Sequence, residues 1–399
     1  MADSQPDFRA TIQPETRQVL DDLKHTASRS LDESISMPPT AFTSEELLEL
    51  ERERIFSKEW ICVARTDELP SPGAYLTSEL NGVPIVIAHD LKGEFQALVN
   101  ICRHRMAQVA SGSGKARVLT CPYHNWAYGL DGRLMNAPKM SEKPFDKSDC
   151  GLKTLSLEIW EGFIFVNVDK DAESLAPRLA GLKQTLKNYG MSEMNTIWRE
   201  EQTWGTNWKI ACENFLEAYH IETLHVNNLF AYVGGAENTV VADTSDYYTF
   251  YKMHGPEMQS ADMFQAMKEV SLPGELTENP DLTDHDYKWS YVGAIFPGML
   301  LVASWWGSTI FSVQPLGTGK SKVLYLVFAP VTGIQLNSEE AKNFHVKYLN
   351  DEATEEDKVI VSGIQRNAES GLGSSGPLHI EHEKTIYNFI RYLSSKLSG

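Results

Sequence analysis

Two cysteines and two histidines fall within the stretch CRHRMAQVASGSGKARVLTCPYH, which runs from Cys102 to His124. They form a Cys-x-His pair and a Cys-x-x-His pair with sixteen residues between the pairs. Thiolates and imidazoles gathered this closely invite a metal. Structural zinc accepts a Cys2His2 set, but its common spacing keeps the cysteines in one pair and the histidines in the other. The mixed pairs suit a [2Fe–2S] cluster whose irons are unlike, with two cysteines on one iron and two histidines on the other. Structural zinc stays as the competing reading. Gly112, Gly114 and Gly129 suit tight loops over such a cluster. SGSGKA resembles a phosphate loop, but Val109 stands where its first Gly belongs and Ala116 where Ser or Thr would hold magnesium.

A second group lies in ENFLEAYHIETLH, where Glu217, His220 and His225 are spaced by three and five. On a helix Glu217 and His220 share a face, and His225 falls off it. A break or widening near Glu222 would bring both imidazoles to one point. Two unrelated surface or core histidines are the plain alternative. With a carboxylate they would make the 2-His-1-carboxylate triad of non-haem Fe(II) oxygenases, which leaves coordination positions open. The candidate is Asp357 in ATEEDKVIVSGIQ, entering a helix whose Val359, Ile360 and Ile364 are expected to pack inward. Glu355 and Glu356 are weaker candidates. The acidic run DEATEED also reads as solvated charge at a helix start.

These residues need elements to position them. Residues 1–42 are polar and punctuated by Pro, and read as an arm that leans on something else. TSEELLELERERIF, within 43–59, reads as a helix with Thr43 as cap and Glu46 closing a capping box. From 60 to 168 short β-type runs (WICVA, VPIVIAH, FQALVNI, ARVLTC, GFIFVNV) alternate with Gly and Pro turns, which predicts a small antiparallel β domain. Residues 169–399 form the second domain. It opens with a helical link over 174–190 and the Trp-rich strand QTWGTNWKIA. A helix through ACENFLEAYHIETLH follows, then the runs YYTFYKM, YVGAIFPGMLLVAS, STIFSVQPL and SKVLYLVFAPV. Helices over 338–370 and 380–397 close the chain, the last with Ile386, Phe389, Ile390, Leu393 and Leu397 on one face. The pattern is α+β.

A formal net charge of −18 over 399 residues argues against nucleic acid as a partner. No apolar run long enough for a membrane helix is present, and MADSQPDFRATIQPETRQ lacks the apolar core of a signal peptide. Five cysteines, an odd number, fit a reducing cytoplasm better than a disulfide scaffold. No dinucleotide fingerprint is present.

The two constellations in this order resemble the Rieske non-haem iron oxygenase α subunits, the aromatic-ring-hydroxylating dioxygenase family. The resemblance spans nearly the whole chain and rests on CRHR…CPYHNWAYGLDG, with Trp126, Tyr128, Gly129 and Gly132, and on NWKIACENFLEAYHIETLH. It implies a Rieske [2Fe–2S] β domain followed by a helix-grip catalytic domain, with an antiparallel sheet and a long C-terminal helix. It places Cys102 and Cys121 on the outer cluster iron and His104 and His124 on the inner one. His220, His225 and Asp357 would hold the mononuclear Fe(II); Asp357 follows a looser pattern, an acid several positions before a Gln, here Gln365. Glu217 matches the acid that bridges the cluster of one subunit to the iron of the next. As Glu rather than Asp it resembles the carnitine, choline and glycine betaine branch. Asn214 and Tyr219 would line the iron's surroundings, or serve as packing.

The resemblance further implies a homotrimer or a multiple of one, and NAD(P)H electrons arriving through a separate flavin/iron–sulfur reductase, with or without a ferredoxin. Monooxygenation or N-dealkylation of a small amine is the favoured reading, and aromatic ring hydroxylation the alternative. Trp204, Tyr247, Tyr248, Trp289, Tyr291, Trp305 and Trp306 are candidates for a cation–π cage or a flat slot. A Rieske electron carrier with an inert second domain, or a zinc-braced binding module, are the readings from other classes.

Overall fold

The computed structural model describes residues 12–140, 145–254, 275–277, 279–348 and 351–398. The chain divides into two compact units, Ser57–Pro177 and the segments on either side of it taken together.

In the first unit, a seven-stranded antiparallel sheet runs in the order β1-β10-β9-β4-β3-β2-β5. Its strands are β1 (Ile61–Arg65), β2 (Ala74–Leu80), β3 (Val83–His89), β4 (Phe95–Val99), β5 (Ser113–Lys115), β9 (Thr154–Trp160) and β10 (Phe163–Asn167). A three-stranded sheet joins β6 (Val118–Thr120), β7 (Ala127–Gly129) and β8 (Leu134–Asn136). Two hairpins are set by two-residue turns. Asn81-Gly82 (φ 48° and 79°) and Glu161-Gly162 (φ 47° and 82°) are left-handed at both positions. Such turns match the twist of the strands they join, and they fix Leu80 opposite Val83 and Trp160 opposite Phe163. Every residue of β1 and β10 is buried. That includes Arg65, whose guanidinium bonds Asp67 at 3.0 Å and lies 4.9 Å over the Phe163 ring.

The second unit is built on another seven-stranded antiparallel sheet, ordered β11-β18-β17-β16-β15-β13-β12. Its strands are β11 (Asn195–Trp204), β12 (Thr239–Thr244), β13 (Tyr248–Met253), β15 (Ser290–Ile295), β16 (Met299–Ala303), β17 (Ser308–Gly317) and β18 (Lys320–Ala329). A short ribbon pairs β14 (Glu275–Leu276) with β19 (Val331–Thr332). The run YVGAIFPGMLLVAS is two strands, β15 and β16, turning at Phe296–Gly298. The terminal helix Lys384–Leu397 buries Ile386, Phe389, Ile390, Leu393 and Leu397, the stripe its spacing predicts. An antiparallel sheet closed by a long terminal helix is the α+β architecture expected of this half.

In the N-terminal segment Pro14–Ser28 is a helix that buries Val19, Leu20 and Leu23 and leans on the terminal helix. Ser44, not Thr43, caps the helix Glu45–Glu51, its hydroxyl accepting the Leu47 N–H at 3.2 Å. Thr43 ends the preceding helical turn Thr40–Thr43, whereas a cap needs the extended backbone that Ser44 has. The Glu46 carboxylate closes no capping box and instead accepts the Gln13 N–H at 2.8 Å.

Glu51, at the end of that helix, is fully buried and accepts from Trp208 Nε1 at 2.7 Å and from Lys209 Nζ at 2.5 Å. Both charges are out of water, so removing one strands the other. Glu51→Ala is expected to destabilise the chain by about 3–5 kcal/mol, read as a lower denaturant midpoint. The double variant Glu51→Ala/Lys209→Met should recover most of the loss. A single variant as stable as the parent would refute this account.

Candidate metal centres

The two Cys-His pairs sit on two loops of the same design. In the first, Cys102 N–H donates to Ala107 O (2.8 Å) and Met106 N–H returns to Cys102 O (3.0 Å). In the second, Cys121 N–H donates to Trp126 O (2.8 Å) and Asn125 N–H returns to Cys121 O (3.0 Å). Each loop closes through a left-handed residue, Met106 (φ 60°) and Asn125 (φ 58°). Asn tolerates that conformation, whereas Met does so only under constraint. Of the glycines expected to serve the loops, Gly112, Gly114 and Gly129, Gly112 alone has a positive φ.

Both cysteines are buried. The rings of His104 and His124 lie 4.6 Å apart, and Trp126 stacks on His104 at 4.9 Å, 5° from parallel. His104 Nδ1 is buried and bonds to no described residue. Partial desolvation, His104 and Arg105 together lower the pKa of His124, which favours the neutral imidazole that a metal requires. Two buried thiols, an orphaned imidazole nitrogen and a second neutral imidazole are a donor set that fits a cluster with two sulfur-held and two nitrogen-held positions.

Tyr128 is the neighbour the sequence did not explain. Its hydroxyl accepts the Arg103 N–H at 3.0 Å and stands 3.2 Å from Cys102 Sγ. Burial, then the bond to Cys102, pushes its pKa far above the ordinary phenol value, so it stays a donor. If Cys102 holds the cluster, a donor to its sulfur would favour the reduced, more negative state. Tyr128→Phe should therefore lower the cluster's potential by on the order of 50 mV, about 1 kcal/mol for a one-electron couple. Protein-film voltammetry would read it, and an unchanged potential would refute the link.

In the second unit the triad begins with the helix Trp208–Phe215, capped by the Asn207 side chain on Lys209 N at 3.0 Å. The break falls at Leu216–His220, before the expected Glu222. There the Glu217 carboxylate takes the N–H groups of Tyr219 and of His220 (3.0 Å for the latter), and a new short helix Ile221–Leu224 starts. The same carboxylate reaches back to His220 Nδ1. Glu222 has other work, accepting Ala236 N–H at 3.1 Å.

His220, His225 and Asp357 come together, with one donor atom from each within 4.8 Å of the others. Asp357 Oδ1 lies 3.1 Å from His225 Nε2 and 3.7 Å from His220 Nε2. Each imidazole is held at its other nitrogen by a carboxylate: His220 by Glu217, and His225 by Glu356 at 2.7 Å. Such outer partners fix the tautomer and aim Nε2 at a metal. Burial would lower the pKa of His225, but Asp357 and Glu356 outweigh it and the net shift is upward. Two Nε2 atoms and one carboxylate facing a common point fit a 2-His-1-carboxylate iron. Glu356 thus orients a histidine, and Glu355 points away, paired with Lys358 at 2.5 Å.

What positions Asp357 is a tie eight residues on. Gln365 Oε1 accepts the Asn207 N–H at 3.0 Å, and Thr206 Oγ1 donates to Val361 O at 3.1 Å. These bonds pin the helix Asp351–Glu369 to the start of the His-bearing segment, so the acid-to-Gln spacing has a structural cause. They also set the helix's rotation. Val361 and Gln365 face inward, while Val359 (69% exposed), Ile360 and Ile364 face outward, contrary to expectation.

The triad opens on a cavity of about 170 Å³ lined also by Glu217, Asn214 and Trp204. Of the aromatic candidates, only Trp204 and Trp306 line it. Tyr247 lies under Arg178, Tyr248 bonds Asp243 at 3.3 Å, Trp289 lies under Lys252, and Tyr291 packs on Tyr189. Trp305 packs on Tyr287. Phe215, Tyr251, Phe311 and Tyr325 line the cavity instead. Tyr219 is outside it, 54% exposed against the rings of His379 and His382.

Residues 59–157 match the Rieske [2Fe-2S] domain, and residues 191–399 match the catalytic domain of the ring hydroxylating alpha subunits. The chain belongs to the Rieske non-haem iron oxygenase α subunit family. It is an oxidoreductase with a Rieske [2Fe–2S] cluster and a mononuclear iron as its cofactors. The carnitine monooxygenase oxygenase subunit of Escherichia coli K12 is 30% identical over 334 residues, 82% of this chain and 79% of its own length. The chloroplastic choline monooxygenase of Amaranthus tricolor is 26% identical over 374 residues, 92% of this chain and 79% of that one. This oxygenase shares its fold with a quaternary ammonium Rieske monooxygenase involved in carnitine oxidation (TM-score 0.78, 24% identity, 94% and 98% of the two chains). It also shares it with naphthalene 1,2-dioxygenase from Rhodococcus sp. (TM-score 0.75, 20% identity, 98% of each chain). Among the described residues, no helix is long and apolar enough to cross a membrane.

Proposed function

We propose that the chain is the terminal oxygenase of a multicomponent system that hydroxylates or N-dealkylates a small quaternary amine. Electrons come from NADH or NADPH through a separate flavin/iron–sulfur reductase, with or without a ferredoxin. One oxygen atom of O2 enters the substrate and the other leaves as water, with two electrons and two protons consumed. The observation that carries the reading is the meeting of His220, His225 and Asp357 on a small cavity walled by aromatic and aliphatic side chains. Relatives that are carnitine and choline monooxygenases support the amine.

Cys102, His104, Cys121 and His124 would hold the cluster, and His220, His225 and Asp357 the iron. When bound, these groups supply single electrons and the activation of O2. The chain's own residues set the conditions. Glu217 and Glu356 hold the two imidazoles at Nδ1, leaving Nε2 free to ligate. The aliphatic wall of Leu229, Met253, Val292, Leu300 and Val302 excludes water from the space above them. Asn214 and the aromatic residues orient the substrate. We assign Glu217 the link between this centre and the cluster of a neighbouring subunit, in a homotrimer or a multiple of one, so that a monomer would be inactive. We place the protein in the cytoplasm, where its cysteines stay reduced.

A second reading, hydroxylation of a single aromatic ring, draws on the flat stack of Phe311 and Tyr325, 4.5 Å apart and 7° from parallel. The test is the enzyme reconstituted with iron and a reductase, offered quaternary amines and aromatic acids while O2 and NADH consumption are followed together. Coupled turnover of an amine is expected. Turnover confined to aromatic compounds would favour the second reading. About two irons per chain and no turnover would leave an electron carrier.

A further inference from the structure

We propose that the outer face of the three-stranded sheet β6-β7-β8 is where the electron donor docks, and that the donor is an acidic electron-carrier domain. This rests on the separate-donor reading above and deepens it.

The first support is charge. The chain carries a formal net charge of −18, yet residues 102–133 hold Arg103, Arg105, Lys115, Arg117 and Arg133 against one acid, Asp131. That acid is spent within the stretch, bonded to Arg133 Nε at 2.8 Å. All five cations are exposed. Among the described residues, neither Lys115 nor Arg117 pairs with a carboxylate, and Lys115 Nζ donates to the neutral Ser71 Oγ at 3.1 Å. A basic island on an acidic protein attracts an acidic partner and speeds their encounter.

Position divides this island. Arg105 lies over the ring of Tyr123, which packs against His124, so it belongs to the histidine end. Lys115 closes β5 and Arg117 precedes β6, on the strands that lead to Cys121.

The second support is the shape of the small sheet. Leu119, Tyr128 and Leu134 are buried and stand side by side across its three strands. Their neighbours therefore point outward: Val118 and Thr120 on β6, Ala127 and Gly129 on β7. On β8 the irregular register turns Met135 outward as well. Small residues on the middle strand leave a shallow trough between Val118 (41% exposed) and Met135 (52% exposed), with the Asp131 carboxylate against Gly129 at one end. An apolar centre with Met, rimmed by Arg and Lys, has the composition of a protein interface.

The third support lies behind the sheet. Cys121 follows β6 directly, and the Tyr128 hydroxyl, on the inner face, stands 3.2 Å from Cys102 Sγ. A partner seated on the outer face is one layer of strand from both thiols proposed to hold the cluster. One electron leaves the reduced carrier and enters the oxidised cluster, and no bond is made or broken.

The probe is an acidic plant-type [2Fe–2S] ferredoxin, offered to the full-length, cluster-loaded enzyme. Its potential lies well below the Rieske range, so transfer is downhill. Cluster reduction is followed by stopped-flow absorbance at about 20 mM and about 500 mM salt, and the affinity of the oxidised ferredoxin by calorimetry at the lower salt. Lys115→Glu/Arg117→Glu is expected to slow reduction and weaken binding by at least about tenfold at low salt. At high salt, parent and variant should come within about threefold of each other. Lys58→Glu/Lys170→Glu makes the same change of charge at the β1-β10 edge of the main sheet, opposite β5, and should stay within about threefold of the parent throughout. Equal slowing of both double variants would reduce the effect to net charge and overturn the docking face. No slowing in either would place the donor elsewhere, while the separate-donor reading stands. A changed oligomeric mass in Lys115→Glu/Arg117→Glu, read by light scattering, would make the face a contact between copies and overturn the proposal. A parent that the ferredoxin cannot reduce would overturn the acidic donor. If NADH alone reduces the parent cluster, no separate donor is needed, and the reading beneath the proposal falls with it.

Discussion

Asp357→Ala is expected to empty the mononuclear site and leave the cluster intact. Iron should drop from about three to about two per chain, with the Rieske electron paramagnetic resonance signal unchanged and turnover lost by about a thousandfold or more. The reason is the geometry of one carboxylate oxygen, 3.1 Å from His225 Nε2 and 3.7 Å from His220 Nε2. It is the acid that faces both Nε2 atoms. Without it the two imidazoles are a weak chelate, since a hard carboxylate supplies the third facial position that fixes Fe(II). Glu356→Ala provides the contrast. It releases His225 Nδ1 and Asn228 Nδ2 but removes no metal-facing atom. Its expected effect is a ten- to hundredfold weaker affinity for iron, restored by excess metal. If Asp357→Ala retained the third iron while Glu356→Ala lost it beyond rescue, the assignment of ligand and orienter would be reversed.

The same pair of acids shows what a sequence discloses and what it withholds. The two Cys-His pairs proposed to hold the cluster were legible because each pair is local, and spacing alone constrains it. The loop closures were not, since a left-handed Met106 has no sequence signature; it is imposed by the bonds of Cys102 to Met106 and Ala107. His220 and His225 were legible as a pair, but the break that unites them was placed too late. A helix pattern does not reveal that Glu217 will spend its carboxylate capping the next turn. Asp357 could be reached only through its distance from Gln365, because a run of acids looks alike in sequence. The run VIVSGI is apolar on too broad an arc to name an inward face. Bonds from Thr206 and Asn207, some 155 residues earlier, choose Val361 and Gln365. Aromatic residues were easy to count and hard to place, for the sheet's alternation sends Tyr325 and Phe311 to the cavity while Tyr248 turns to Asp243.

Loaded with excess iron, Glu217→Gln should keep all the metal and still lose most of its turnover. Glu217 does three things at once: it caps the turn through the N–H groups of Tyr219 and His220, holds His220 Nδ1, and carries a negative charge at the cavity edge. Alanine abolishes all three. Glu217→Ala should therefore both loosen the short helix Ile221–Leu224 and weaken iron affinity by ten- to hundredfold, so lost activity in that variant would have two causes. Glutamine keeps the length but has one acceptor oxygen, which can serve the turn or His220 Nδ1 and not both, and it removes the charge. If Glu217 serves only to orient His220, Glu217→Gln should retain turnover within about threefold once iron-loaded. If it also couples the iron to a neighbouring subunit's cluster, oxidation of the pre-reduced cluster in a single turnover should slow by about a hundredfold. Reduction of that cluster by the reductase should be unchanged. Stopped-flow absorbance of the cluster separates the two steps. Fast cluster oxidation in Glu217→Gln would confine Glu217 to holding its histidine, and the link between subunits would have to run through another residue.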